Sequence, residues 1–385
     1  MHILIIPSER YVPPESPLAG IFQQRQAQAL ARAGFKVGIL SPDLYSLRLL
    51  RRGLAARPTG IQITDDGGIP VFKYYGWNWL PRVPGGHTTL WLRAGTTLFR
   101  SYAVQQGIPD IIHAHNARCA GILACKIKEV WHVPYVLTEH SSAYALGQVP
   151  AAEMSHIREA YKNANRRLVV SPSLGNLLEQ AIGDVVCPWE WLPNILDAKF
   201  EQHTPANSDR RAQRSFRFLN VGSLIEIKGQ SDLLRAFASQ FAGKRGIELH
   251  IGGGGPLKKD LEALATELGI GRQVTFLGEL HHEQVLAEMQ ACDAYVHSSH
   301  YETFGVVLIE ALSCGKPVVA TACGGPQCIV NTSNGLLAPP RDPAGLGQAM
   351  AAVRENISRY HAARIRQDCI ARFGAQAVVS QLATL

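Results

Sequence analysis

Short β-branched and apolar runs alternate with helix-length segments of amphipathic spacing almost from one end of the chain to the other. That alternation is the tightest constraint on the fold, because strand–helix–strand units build parallel sheets covered by helices. A first series reads as strands at Ile3–Ile6, Lys36–Leu40, Val71–Tyr75, Asp110–His113, Tyr135–Thr138 and Arg167–Val170. Helices read at Phe22–Ala33, closed by Gly34, and at Gly121–Val130. From Lys199 to Arg214 the pattern breaks, and Glu201–Arg210 is polar, holds Pro205 and lacks an apolar period, as an exposed linker does. A second series then offers strands at Phe216–Val221, Ile247–Ile251, Val274–Leu277, Ala294–His297 and Pro317–Ala320. Helices follow at about Ser231–Phe241, Leu257–Leu268, Glu283–Ala291 and Gly305–Ser313.

The expectation is an α/β protein of two doubly wound, Rossmann-like domains facing across a cleft. Residues 1–200 form one domain and 201–385 the other, with the last helix free to pack back on the N-terminal domain. A length of 385 residues suits two domains. In such sheets, ligands gather at the loops beyond the carboxyl ends of the strands.

Composition narrows the function classes. With 46% hydrophobic and 18% charged residues, the chain has the balance of a globular enzyme. No uncharged apolar run approaches the roughly 18 residues that span a bilayer, and Met1–Ile6 is short, lacks a basic flank and stops at Pro7. None of the eight cysteines forms a C-x-x-C pair, so reduced thiols in a cytosolic protein are expected. The net charge of +7 is uneven: residues 1–110 hold 12 Lys+Arg against 6 Asp+Glu, and the remainder 26 against 25. A partner drawn by charge should therefore meet the first hundred residues.

The most informative run is Glu302-Thr303-Phe304-Gly305-Val306-Val307-Leu308-Ile309-Glu310, two carboxylates with seven residues between them. Glu302 lies in a loop after a strand, and Glu310 lies about a turn into a helix beginning near Phe304. A helix N-terminus offers unpaired N–H groups to a phosphate, Gly305 permits close backbone approach, and the carboxylates flank that seat as acceptors for hydroxyls. Read alone, the pair fits equally a capping glutamate followed by a solvated one. Gly252–Gly255 after a strand hints at a dinucleotide turn, but Leu257 breaks G-x-G-x-x-G, and no Gly-Lys-Ser/Thr follows for a P-loop. No D-x-D pair exists to bind a catalytic metal.

Four ordered motifs resemble the family 4 retaining glycosyltransferases, also called group 1. They are Asn220–Gly229, Ile251–Leu257, Val274–Gly278, and Glu302–Thr321 continuing to Gly324-Gly325-Pro326. The resemblance covers most of Phe216–Met350 and implies the two-domain, type-B architecture. It gives Lys228 the donor diphosphate, Glu302 the donor-sugar hydroxyls, the backbone of Phe304, Gly305 and Val306 the β-phosphate region, and Glu310 the ribose. Two departures stand out: many members have Arg where this chain has Ser223, and an acidic residue where it has Gln327-Cys328. In the N-terminal half, Gly20-Ile21-Phe22 resembles the loop that approaches the diphosphate, and His140, in Thr138-Glu139-His140-Ser141, resembles the histidine that faces the donor sugar. His113 and His115 lie two apart, but no third ligand for a metal is evident. His281 and His282 read as solvated residues before a polar helix.

The basic excess concentrates where Arg48, Arg51, Arg52, Arg82, Arg93 and Arg100 interleave with Trp77, Trp79, Trp91 and Phe99. Such pairing suits an anionic membrane surface, although a basic helix face over core tryptophans reads equally. Nucleic acid is a poorer fit, since no recognition module accompanies the charge. The resemblance thus implies a hexosyltransferase-type enzyme using a nucleoside-diphosphate sugar, UDP-sugar favoured over GDP-sugar, with no metal or other cofactor. Its acceptor would be a glycan or lipid-linked hydroxyl, in cell-surface polysaccharide or glycolipid synthesis. The location expected is cytoplasmic, peripheral on the inner face of the plasma membrane. A nucleotide-sugar epimerase of the same fold and a non-catalytic sugar-nucleotide-binding protein are the alternatives.

Overall fold

The structure, a computed structural model, describes residues 1–13, 19–51, 57–183, 188–203 and 215–384. It divides into two compact units: Met1–Ile195 with Val378–Leu385, and Leu196–Ala377.

The first unit holds eight strands: β1 (His2–Pro7), β2 (Lys36–Tyr45), β3 (Gly60–Asp65), β4 (Pro70–Trp77), β5 (Ile111–His115), β6 (Tyr135–Glu139), β7 (Arg166–Val169) and β8 (Glu190–Trp191). Their order is β3-β4-β2-β1-β5-β6-β7-β8. All pairings are parallel except the β3–β4 hairpin at one edge. β1 is buried along its whole length, which is why it reads as an unbroken apolar run rather than an alternating one. Helices Ile21–Arg32, Gly86–Gln106, Ile122–Trp131, Met154–Asn163 and Pro172–Ile182 cover the sheet.

The helix Gly86–Gln106 buries Trp91, Leu92, Leu98, Phe99 and Tyr102. Tyr102 reaches the sheet, where its hydroxyl pairs with His2 Nε2 at 2.6 Å. A Cβ on Gly38 of β2 would lie 2.0 Å from that hydroxyl, so only glycine fits beneath it. Trp91 and Phe99 are 2% and 0% exposed. They are core residues and present nothing to a membrane, which corrects half of the aromatic pattern read from sequence. The side chains of Arg51 and Arg52 lie outside the described residues.

The second unit holds β9 (Phe216–Val221), β10 (Ile247–Gly252), β11 (Val274–Gly278), β12 (Ala294–His297), β13 (Val318–Thr321) and β14 (Gly335–Ala338). The sheet is fully parallel in the order β11-β10-β9-β12-β13-β14, so the winding reverses between β9 and β12. Phe218, Phe237 and Phe241 stack at the centre of its core, with ring centroids 5.3 and 5.4 Å apart along the Phe237–Phe241 and Phe218–Phe241 contacts.

The segment read as a linker is partly structured. Ala198–Gln202 forms a helix capped by Asp197, and Arg366 donates to the carbonyls of Phe200, Glu201 and Ser313. Residues 204–214 lie outside the described residues. Gln381 donates to the carbonyl of Trp191 in the first unit. Among the described residues no helix is long and apolar enough to cross a membrane.

Candidate active site

At the reversal point of the second unit, two loops are pinned to one another. The loop after β9 ends in a 3-10 turn, Glu226–Lys228, and leaves it at Gly229 with φ of 63°. A Cβ there would sit 2.1 Å from the carbonyl oxygen of Ser298, in the loop after β12. That close approach lets Ser298 Oγ donate to the carbonyl of Lys228 at 2.8 Å and the amide of His300 donate to that of Ile227 at 2.8 Å. His300 Nε2 in turn lies 2.8 Å from Asp232 Oδ2. The outcome is a defined ion pair: Lys228 Nζ donates to Glu302 Oε2 at 2.7 Å.

Glu302 is held from its other side by backbone. Its amide donates to the carbonyl of Cys323 at 3.1 Å, and its carbonyl accepts from the amide of Gly325 at 2.7 Å. A Cβ on Gly325 would lie 2.3 Å from Phe304 Cα, so the Gly324-Gly325 pair is there to let these loops touch. Phe304 is buried against Phe373 with centroids 5.8 Å apart. Gly305, with φ of 99°, then opens the helix Val306–Ser313, which has no side-chain cap and no acidic residue in its first turn. Its positive end is therefore uncompensated by the helix itself.

His297, the last residue of β12, lies with Nε2 3.6 Å from Glu302 Oε2. Burial pushes its pKa down to about 4 against the pull of Glu302, so the imidazole is neutral at neutral pH. Burial pushes the Glu302 carboxyl up, but Lys228, His297 and the Phe304 amide outweigh it and hold it below the usual carboxylate range. Glu310 is buried in the same helix, with Oε1 3.9 Å from His282 Nε2. His282 Nε2 also lies 3.8 Å from Asp197 Oδ2, and its ring meets Phe200 edge-on at 5.2 Å. His282 is thus a half-buried packing partner of Glu310 rather than a solvated residue. The glycine turn stacks on the loop after β9: a Cβ on Gly253 would lie 1.9 Å from the carbonyl oxygen of Gly222. Ser223 is exposed beside it, and its carbonyl accepts from Gln230 Nε2.

In the first unit, Gly20, with φ of 72°, opens the helix Ile21–Arg32, and a Cβ there would lie 2.8 Å from the Arg10 carbonyl oxygen. His140 follows β6, where a buried carboxylate organises the turn. Glu139 Oε2 accepts from the Ala117 amide at 3.0 Å and the Tyr161 hydroxyl at 2.6 Å, and Oε1 from the Ser141 amide at 3.1 Å. The His140 amide donates to Asn116 Oδ1 at 2.9 Å. His113, His115 and His140 stack in series, with centroids 4.3 and 5.1 Å apart, and His115 Nδ1 shares a proton with His140 Nε2 across 2.9 Å. Burial lowers His140 to about 4, with the Asn194 side chain pulling upward, and lowers His113 to about 3. His140 is therefore a neutral hydrogen-bonding group at the carboxyl end of β6, an interior strand of this sheet.

Within the second unit, then, the structure joins Lys228, Glu302 and the start of the helix at Gly305, and sets Glu310 beside His282. Sequence reasoning missed His297, Ser298 and His300, whose parts depend on strand pairing, and Glu139, masked by the more conspicuous histidine next to it.

Two doubly wound, predominantly parallel sheets, one of which builds a lysine–glutamate pair at an uncapped helix start, have the architecture of the type-B glycosyltransferases. Solved structures agree in fold: sucrose-phosphate synthase from Thermosynechococcus elongatus aligns with a TM-score of 0.73 at 21% identity over 100% of this chain and 98% of that one. HepE of Anabaena in complex with UDP-glucose aligns with a TM-score of 0.70 at 20% identity over 100% of both. Residues 205–367 match the glycosyl transferases group 1 family, and residues 20–200 match glycosyltransferase family 4. D-inositol 3-phosphate glycosyltransferase of Corynebacterium jeikeium is 30% identical over 286 residues, 67% of this chain and 67% of that protein. Glycogen synthase of Mycobacterium tuberculosis is 29% identical over 311 residues, 77% of this chain and 73% of that protein. The chain belongs to the family 4, group 1 glycosyltransferases.

Proposed function

We propose that the protein is a retaining, metal-independent hexosyltransferase that moves a sugar from a nucleoside-diphosphate sugar, UDP-sugar in preference to GDP-sugar, to a hydroxyl of a glycan or lipid-linked acceptor. The acceptor belongs to cell-surface polysaccharide or glycolipid synthesis. The enzyme works in the cytoplasm, with its N-terminal unit against an anionic membrane surface. The observation that carries this reading is the Lys228–Glu302 pair at the uncapped helix start.

The chemistry follows from that pair. With no donor bound, each charge satisfies the other. A diphosphate competes for the Lys228 ammonium with more negative charge than one carboxylate offers, and the helix N-terminus adds its partial positive charge. Glu302, held as a carboxylate in the free protein chiefly by Lys228, is then released to accept from sugar hydroxyls. As the glycosidic bond breaks, negative charge grows on the leaving diphosphate, where Lys228 and the helix start stabilise it without a cation. Glu310 takes the ribose, Gly20 the diphosphate and neutral His140 a hydroxyl of the transferred sugar. HepE, solved with UDP-glucose, and relatives named as glycosyltransferases and a synthase of glycogen support the donor class.

Calorimetric titration with UDP-, GDP- and ADP-sugars tests the reading. UDP-sugar should bind, and Lys228→Ala and Glu302→Ala should each weaken it roughly tenfold to a hundredfold, the size of one lost charged hydrogen bond. Turnover should survive excess chelator. Activity abolished by chelator and restored by Mg²⁺, or wild-type donor binding in both folded variants, would overturn it. Incubation with donor alone separates an epimerase, which alters the sugar without an acceptor.

A further inference from the structure

The first unit contains an open groove of about 660 Å³ along the helix Gly86–Gln106, lined among others by Gly85, Thr88, Arg93, Arg100, Lys126 and Glu153. We propose that this groove binds the phosphate of a lipid-borne acceptor, presented to it where the exposed loop Trp79–Val83 enters a membrane surface. The inference rests on the reading above only in calling that lipid an acceptor.

The first argument is charge. Arg93 and Arg100 are seven residues apart, which places them on one face of the helix two turns from each other. Lys126 joins them from the helix Ile122–Trp131. All three side chains are exposed, and none makes an ion pair with a carboxylate among the described residues. Glu153 is the single carboxylate lining the groove, and it is already engaged: Arg118 Nε lies 2.6 Å from its Oε2, and the Thr88 hydroxyl donates to its Oε1 at 2.9 Å. It therefore cancels none of the positive charge of the groove.

The second argument is the polarity of the rest of that face. Thr89, Thr96 and Thr97 turn their hydroxyl protons back onto the carbonyls of Gly85, Leu92 and Arg93, at 3.0, 2.9 and 3.0 Å. Their hydroxyl protons are thus engaged, and recognition of an anion falls to the cations. At the mouth, Gly85, with φ of 68°, opens a helix of 21 residues with no side-chain cap and no acidic first-turn residue. An anion entering there meets the positive end of that helix first and the arginines beyond it.

The third argument selects a lipid over a soluble anion. The residues leading into Gly85 include Trp79, Leu80 and Val83, which are 62%, 36% and 52% exposed, with the exposed Arg82 among them. An exposed tryptophan flanked by apolar residues and a cation is costly in water and suited to the headgroup boundary of a bilayer. The loop packs on the helix start, where a Cβ on Gly86 would lie 2.6 Å from Leu80 Cβ, and Pro84 and Gly85 after it line the groove, so a lipid held by this loop brings its phosphate to the groove.

Co-sedimentation with phosphatidylcholine vesicles, with and without phosphatidic acid, tests this in the full chain. Binding should require phosphatidic acid and fall roughly tenfold or more when Arg93, Arg100 and Lys126 are all changed to Ser. Trp79→Ser should weaken vesicle binding as well. All four side chains are exposed, so the variants should keep the wild-type melting temperature. The proposal is overturned if the triple variant still binds the vesicles, if the wild type ignores phosphatidic acid, or if the groove takes inorganic pyrophosphate while vesicles are left unbound. The donor titration reads the second unit through Lys228, so failure of one measurement leaves the other intact.

Discussion

His113, His140 and His297 share a property that their sequence positions hide: each is held neutral by burial, with pKa values lowered to about 3, about 4 and about 4. A histidine with a depressed folded pKa binds its proton first in the unfolded chain. Stability is therefore full above the unfolded value near 6.5 and is lost as pH falls toward 4, by up to about 1.4 kcal/mol per pH unit for each group. Glu302 acts in the same direction at lower pH, since its depressed carboxyl contributes above its ordinary value and loses that contribution on protonation. Urea unfolding across this range should show a steep acid decline, and His140→Asn should flatten it; a flat profile in the wild type would contradict the buried, neutral state. Glu302 and Gly305 stand out by their spacing at a helix start and Lys228 by the family resemblance, and the fold brings the three together. His297 and Glu139 were not, because a strand-end residue acquires its neighbours only through sheet register.

Elements carried most of the legible information, and the exceptions have physical causes. β3 was missed because it is an exposed edge strand whose apolar Ile61 and Ile63 alternate with polar residues over a short span. The helix Gly86–Gln106 stood as only one of two readings, a basic face over core tryptophans, because Gly95 and paired threonines lower its intrinsic propensity and its mixture of Trp and Arg also suits a surface. Burial of Trp91, Leu98, Phe99 and Tyr102 overrides that propensity. Glycines at element ends give a sharper test. Gly229 needs its positive φ and has no room for a Cβ, whereas Gly243 has φ of 73° with nothing within 4 Å of a Cβ. Gly243→Ala should cost about 1–2 kcal/mol, the left-handed penalty alone. Gly229→Ala should cost more and also weaken donor binding, because the loop carrying Lys228 must move. Equal losses of stability with donor binding untouched in both would show that the Gly229 contact does not position the lysine.

At the scale of the whole molecule, the interruption after residue 200 suggests two units and the last helix is expected to return to the first, but the first change of unit, at Leu196, is not legible. Leu196 donates its amide to the Phe373 carbonyl at 2.8 Å, a pairing between residues far apart in sequence, and polar composition gives no hint of it. Val378 and Val379, both buried, fall in the first unit with Met1–Ile195. Burying a valine contributes on the order of 1.5–3 kcal/mol, so deleting residues 378–385 should lower the melting temperature of the first unit and spare the second. Scanning calorimetry that resolves the two transitions would check this, and an unchanged first transition would refute it.

That return of the chain also sets an order of events on the ribosome. The first unit is discontinuous: its sheet is synthesised first, yet its last segment, Val378–Leu385, is translated after the entire second unit. During translation the first unit lacks the buried Val378 and Val379 while Leu196–Ala377 emerges. A nascent chain stalled just before Val378 should therefore carry a protease-resistant second unit attached to a first unit still open to attack, the reverse of the usual order in which the N-terminal domain is finished first.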